Sequence, residues 1–285
     1  MAKTLDEILE ELDSIPTPNF VVSKVMELVS QPNVSASELT DVIEKDPNLT
    51  VRVMKLANSA YYGLPQKIAT LSHAVMILGF KTVRNLVTSI YMHDAFFSSK
   101  LGTDKISADK IWWHLMATAM ATESISNVVG YINKEETFLV GMIHDLGKMV
   151  MAKLFPSYTD AIIELSSKAS MTYFSAEQKL ELPDHVSIVK HLIEKWGFPQ
   201  EIKTAVAFHH EPEKVEDENL KDITYISHAA DVVANILDPH AAGNYALPMI
   251  NKEVWAYLKL DGPTFLSITR EVRGTTKKAA EFFNL

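Results

Sequence analysis

The sequence predicts an all-α protein, and three observations carry that prediction. Apolar residues recur at spacings of three and four, as in Val21, Val25, Leu28 and Val29, the period of a helix that buries one face. Helix-start and helix-stop signals punctuate the chain throughout. No run of alternating apolar and polar residues is bounded by hairpin turns. The expectation is roughly a dozen helices with little or no sheet.

The individual elements follow from these signals. Thr4-x-x-Glu7, Ser35-x-x-Glu38 and Ser175-x-x-Gln178 match the capping box, in which the N-cap hydroxyl and the N3 side chain satisfy each other's free amides. Asp46-Pro47 places a capping carboxylate before a proline at the first helical position, where no N–H is missed. Gly79, Gly130 and Gly197 each follow an apolar-periodic stretch, as a left-handed C-cap would. Apolar density drops over Ser98–Lys110, where Gly102 and Asp104 break the pattern, and Ser107 is expected to cap a long helix through Trp112, Trp113 and His114. This divides the chain into an N-terminal helical subdomain, residues 1–105, and a helical bundle, residues 106–285.

Composition narrows the function classes. The 285 residues include no cysteine, which excludes disulfides, thiolate catalysis and metal sites built on sulfur. The longest stretches free of charged side chains, Ile68–Phe80 and Pro239–Asn251, are 13 residues each, too short for the ~18 apolar residues of a membrane span. The acidic, amphipathic N-terminus has no apolar signal region, so a cytoplasmic-type soluble protein without a membrane partner is expected. A net charge of −9 with no basic run argues against a nucleic-acid partner. Glu211–Asp222 carries the densest charge and reads as a solvated loop.

Histidine is the informative residue, because six of the ten lie between His114 and His210. The central motif is Gly141-Met-Ile-His144-Asp145-Leu-Gly147-Lys148, inside an apolar stretch, Phe138–Leu154, that reads as helical. Adjacent His and Asp on a helix point about 100° apart, so both reach one ion only across a shared cavity. Imidazole nitrogen with carboxylate oxygen suits a divalent transition ion such as Fe, Mn, Ni or Zn. Lys148 follows His144 by one turn, where its ammonium could meet a phosphate or pair with an acid. His114 lies upstream; His185, His209, His210 and Asp231 lie downstream, on separate expected helices. A helical bundle can project such ligands to one core site, and this many donors could hold two ions that clamp a phosphate ester.

At these residues the sequence resembles the HD superfamily of metal-dependent phosphohydrolases. Asp46-Pro47-Asn-Leu-Thr, Lys55-Leu-Ala-Asn-Ser59-Ala-Tyr-Tyr-Gly63, Ile68, Ala74 to Leu78-Gly79 and Leu192-Ile-Glu-Lys-Trp196-Gly197-Phe-Pro199 are similar to the HDOD family, the HD-related output domain of bacterial signalling proteins. The resemblance covers about Leu12 to His210, with weaker continuation to Leu237. It implies His114, His144, Asp145 and Asp231 as core ligands, with His185, His209 and His210 completing a second ion's shell, as in the related HD-GYP phosphodiesterases. One or two divalent ions are implied, Fe or Mn before Ni or Zn. Lys148 would correspond to a phosphate-contacting lysine, and Asp145 and Lys148 would be the catalytic pair. Lys110 stands where HD-GYP proteins can carry a glutamate, so a third ion is not expected. Glu211-Pro-Glu-Lys follows His210 instead of a Gly-Tyr-Pro loop, which removes the reason to expect a cyclic dinucleotide.

The resemblance implies a bacterial signal-transduction protein that acts through signalling protein partners and keeps an HD-type metal site. The alternative is a metal-dependent phosphohydrolase or phosphodiesterase, acting on a phosphate-ester ligand with a metal-bound hydroxide. His191 and His228 match no motif position and read as surface or supporting residues, His228 one turn before Asp231. Trp112, Trp113, Trp196 and the methionines Met116, Met120, Met142, Met149 and Met151 read as core. Asn58-Ser59 before Tyr61-Tyr62 reads as a turn bonded to the preceding helix, with a partner surface as the other reading.

Overall fold

The structure, a computed structural model, describes residues 18–29, 31, 33–59, 61–97, 103, 105–180 and 183–283. The chain divides into two compact units, one of residues 99–276 and one of residues 16–98 together with the end of the last helix from Lys277 on. The elements among the described residues are all helices, with no strand. The Thr4-x-x-Glu7 capping box lies outside them.

The smaller unit holds α1 (Phe20–Val29), α2 (Ala36–Ile43), α3 (Pro47–Ala57), α4 (Leu71–Leu78) and α5 (Phe80–Met92). Ser35 and Glu38 form the reciprocal capping box of α2, and Asp46 caps α3 by accepting the Leu49 N–H. Helices α1, α3 and α4 all pack on α5, which buries Val83, Leu86, Val87 and Ile90. Asn58 ties the turn after α3: its amide donates to the carbonyls of Met54 and Ile68, and its Oδ1 accepts the Ile68 N–H. Gly79 closes α4 and opens α5 at φ 84°, ψ 163°, an extended ψ outside the left-handed helical region expected there.

The larger unit holds α6 (Ala108–Val129), α7 (Lys134–Ile143), α8 (Leu146–Leu154), α9 (Pro156–Ala169), α10 (Tyr173–Leu180), α11 (His185–Lys195), α12 (Gln200–Phe208), α13 (Glu218–Leu237), α14 (Lys252–Leu258) and the start of α15 (Gly262–Phe283). Ser107 caps α6 as expected, and Gly130 ends it in the left-handed conformation. α6 is buried nearly all round, with α7 and α13 packed on it. Gly141 makes the α6–α7 contact close: a Cβ there would lie 2.5 Å from the Cα of Ala119. α11 packs on α8 and α12 on α13, so α6, α7, α8, α11, α12 and α13 enclose one core.

Three local expectations are corrected. Phe138–Leu154 is not one helix: α7 ends at Ile143, and Asp145, at φ −102°, ψ 9°, starts α8. Ser175 is not a cap; the Thr172 hydroxyl accepts the Ser175 N–H and starts α10 three residues earlier. The charged run Glu211–Asp222 is only partly loop, because Asp217 caps α13 and the helix begins at Glu218.

Candidate metal centre

The break between α7 and α8 builds the centre. His144 is the last cap of one helix and Asp145 the first of the next, so the chain turns between them. The turn cancels the 100° divergence expected of neighbours on a continuous helix and points both side chains into one core. His114 comes from the middle of α6, His185 from the first turn of α11 behind its Asp184 cap, His209 and His210 from the end of α12, and Asp231 from the buried face of α13. All seven residues expected as ligands meet there. His210 is half-buried; each of the others is no more than 4% exposed.

The donors form two sets that share one residue. His114, His144, Asp145 and Asp231 make the first; Asp145, His185, His209 and His210 make the second; within each, the ligand atoms lie within 4.8 Å of one another. Asp145 divides its carboxylate between them. Oδ2 lies 3.3 Å from His114 Nε2 and 3.6 Å from His144 Nε2, whereas Oδ1 lies 3.0 Å from His185 Nε2 and 3.7 Å from His209 Nε2. Asp231 Oδ1 closes the first set at 3.1 Å from His114 Nε2 and 3.6 Å from His144 Nε2.

The hydrogen bonds fix what each ring presents. The Nδ1 atoms of His144 and His209 lie 2.9 and 2.8 Å from the carbonyls of Gly141 and Val206. A carbonyl can only accept, so each Nδ1 carries the proton and each Nε2 turns a lone pair inward. His185 sets its ring Nδ1 against Glu177 Oε2 at 2.7 Å and gives its backbone N–H to Oε1 at 2.9 Å, while its Nε2 faces Asp145 Oδ1 at 3.0 Å. Two pairs of Nε2 atoms then oppose each other, His114 with His144 at 3.3 Å and His185 with His210 at 3.1 Å. His209 Nε2 is buried without a hydrogen-bond partner. Imidazole nitrogens and carboxylate oxygens from seven residues converge here, and these donors fit divalent ions with nitrogen and oxygen ligands.

Electrostatics agree. Burial works against the charged forms of Asp145 and Asp231. The Lys148 ammonium beside Asp145, and His114 and His144 beside Asp231, nevertheless hold both carboxyls well below the usual range. Burial pushes His144 and, more strongly, His210 down, keeping them neutral. Burial also opposes a charged His185, but Glu177 and Asp145 raise it to about 9. Lys148, expected to face a phosphate or an acid, lies 2.6 Å from Asp145 Oδ2, with its ammonium 5.0 Å from the centre of the Tyr173 ring.

Several supporting residues escaped the sequence reading. Glu177 orients His185, a carboxylate–histidine arrangement that fixes the tautomer of a ligand. Asn235 donates to Asp231 Oδ1 at 2.8 Å and accepts from Asn244 at 2.6 Å. Asn235 stands one helical turn after Asp231, a spacing that could have revealed it; nothing local marks Glu177 or Asn244. His228 is buried, bonded to the His209 carbonyl at 2.7 Å. His191 makes no approach to the centre among the described contacts, and its Nε2 has no partner.

Two buried His/Asp groups that could each hold a metal ion thus lie in one helical core. The chain belongs to the HDOD domain family, which it matches over residues 15–212. A protein of Treponema pallidum (strain Nichols) is 22% identical over 209 residues, covering 73% of this chain and 40% of that protein. The chain therefore spans less than half the length of that relative. A solved candidate phosphohydrolase from Shewanella amazonensis SB2B superimposes with a TM-score of 0.74 at 19% identity, covering 96% of this chain and 97% of that one. A solved candidate signal transduction protein from Marinobacter aquaeolei VT8 gives 0.76 at 20% identity, covering all of this chain and 62% of that one. At these identities the likenesses establish the fold. No helix among the described residues is long and apolar enough to cross a membrane.

Proposed function

We propose that this protein is an HDOD signalling component that acts through protein partners and holds one or two divalent transition ions, iron or manganese first, in the larger unit. The observation that carries the regulatory reading is burial: apart from half-buried His210, every donor of both sets is at most 4% exposed. An ion enclosed by protein donors shapes the fold around it, whereas turnover needs an open coordination position. Lys148 supports the same reading, because its ammonium neutralises Asp145 and is itself only 2% exposed. The testing experiment is elemental analysis of protein purified without chelator or tag-derived metal. Stoichiometric iron or manganese, lost in Asp145→Ala, supports the reading; no metal, and none taken up on dialysis, overturns it. Tyr61 and Tyr62, which pack edge to face, are the first surface to change in a search for the partner. Unaltered complex formation across that surface would reject this choice of face.

One observation favours hydrolysis instead: Asp145 belongs to both donor sets, so two ions held there would share its carboxylate, the arrangement a two-metal hydrolase uses. Ions held there would acidify a bound water and neutralise a phosphate ester. In this reading Asp145 and Asp231 fix the ions, Glu177 holds the His185 ring in place, and Lys148 swings from Asp145 to the phosphate. Turnover of a simple phosphodiester by the manganese-loaded chain, abolished in Asp145→Ala and reduced in Lys148→Ala, would select it. No turnover by the fully loaded chain would leave the regulatory reading.

A further inference from the structure

The metal centre is attached at three points to one surface segment, residues 238–251 between α13 and α14. At its far end the Asn251 N–H donates to His228 Nε2 at 3.0 Å, and His228 Nδ1 donates to the backbone carbonyl of His209 at 2.7 Å. Both partners fix the neutral Nδ1–H tautomer, so the ring is a rigid strut between the segment and a donor of the second set. In the middle, the Asn244 amide donates to Asn235 Oδ1 at 2.6 Å, and Asn235 donates to Asp231 Oδ1 at 2.8 Å, a donor of the first set. The third attachment is steric. Gly243 adopts φ +75°, and a Cβ there would lie 2.8 Å from the Tyr173 ring, the ring that lies over Lys148 beside Asp145. Asn244 Oδ1 also takes the Tyr173 N–H at 2.6 Å, which fixes that ring's own helix to the segment.

The outer side of the segment differs in kind. From Tyr245 to Ile250 it is irregular and alternates exposed with half-buried residues, with Tyr245, Leu247 and Met249 exposed by 38%, 51% and 82%. No backbone hydrogen bond is formed by the N–H groups of Ala246, Leu247, Met249 or Ile250, so this stretch has little of its own to hold it. It is also held by the Tyr245 N–H on the Met171 carbonyl at 3.1 Å and the Ser166 hydroxyl on the Gly243 carbonyl at 3.3 Å, but Asn244, Asn251 and Gly243 are the anchors that lead on to His209, Asp231 and Asp145. An ion drawing those donors together would set the geometry of all three attachments.

We infer that segment 238–251 is the output element of the metal centre, ordered when the ion is bound and loosened when it is lost; this rests on the metal reading above. Occupancy would thereby control how Tyr245, Leu247 and Met249 are displayed. The two relays engage different donor sets, so each end of the segment responds to its own set.

The test is amide hydrogen exchange of the full chain, chelated and with Mn²⁺. Opening that releases the ion is suppressed by the ratio of free ion to Kd, so exchange of the bonded amides of Gly243, Asn244, Tyr245 and Asn251 in this segment should slow on the order of 100-fold at 100 times Kd. Amides of α2 should not change. Asn235→Leu should abolish the response around Asn244 and keep it at Asn251, and His228→Phe should do the reverse. Stoichiometric Mn²⁺ uptake without slower exchange over 238–251 would overturn this inference and leave the metal centre standing. No uptake at all would remove both. The wild-type comparison decides the matter even if a variant fails to fold.

Discussion

Asp145 and Lys148 face each other across one turn of α8, carboxylate Oδ2 to ammonium at 2.6 Å, with neither side chain more than 2% exposed. The pair resolves a conflict. A carboxylate shared between two donor sets is needed when ions are bound, yet it is a buried charge when they are not. Lys148 supplies the positive charge in the second case. Lys148→Met should therefore destabilise the chelated protein by about 3–5 kcal/mol, the cost of leaving one buried charge unpaired. Bound metal should restore much of that loss. Urea unfolding with chelator and with Mn²⁺ measures both; equal losses in the two conditions would show that Lys148 does not substitute for an ion.

Much of the centre was legible because its parts carry local signals. His185 follows a capping aspartate, His114 lies in a helix announced by Ser107, and Asp231 sits in an apolar-periodic stretch. What the sequence hid was geometry that arises from packing. The break at His144–Asp145 is flanked by Gly141 and Gly147, but it lies inside an apolar run whose period favours a continuous helix. Glu177 looks like any acid on a short polar helix until α10 and α11 fold together and bury it against His185. Asn244 reaches Asn235 from a loop with no periodic pattern, so nothing in its neighbours predicts the contact.

The shared carboxylate predicts an ordered series of metal losses. Wild type should hold about two ions per chain. Asp145→Ala should lose both, because both sets use this side chain. Asp231→Ala should lose only the ion of the first set, and His210→Ala only that of the second. Elemental analysis per chain reads all four. Retention of one tightly held ion in Asp145→Ala would mean that the two sets do not share this residue.

His185 and Glu177 predict how stability depends on pH in the chelated protein. Burial pushes the Glu177 carboxyl up, and its contacts to His185 only partly oppose this. The ionised form is still the one its two accepted hydrogen bonds satisfy. His185 is raised from 6.5 to about 9, with burial opposing the charge and Glu177 and Asp145 favouring it. A raised base stabilises the fold fully below its unfolded pKa, and that contribution fades as pH climbs through the folded one. The urea midpoint should therefore decline between pH 6.5 and about 9, and the decline should shrink in Glu177→Gln. With metal bound the ion takes the proton's place, so the decline should vanish and metal uptake should release protons. A flat profile in chelator would show that His185 is neutral in the folded protein.

Gly147 holds the second donor set together by having no side chain. A Cβ there would lie 1.9 Å from the His185 carbonyl oxygen and 2.7 Å from its carbon, so α8 approaches the backbone of α11 as closely as two helices allow. That approach brings His185 Nε2 within 3.0 Å of Asp145 Oδ1. Overpacking against flexible side chains costs about 1–3 kcal/mol, and here the obstacle is backbone, which yields less. Gly147→Ala should therefore destabilise the fold by at least that much, read as a lower unfolding midpoint, and lose the second ion by moving α11 away, while the first set keeps its ion. Gly141→Ala, directed at the α6–α7 contact between His114 and His144, should have the opposite metal preference. Gly262→Ala, with nothing within 4 Å of the added carbon, serves as the neutral comparison. If Gly147→Ala matched Gly262→Ala in both midpoint and metal content, the close approach of α8 and α11 would not be what positions His185.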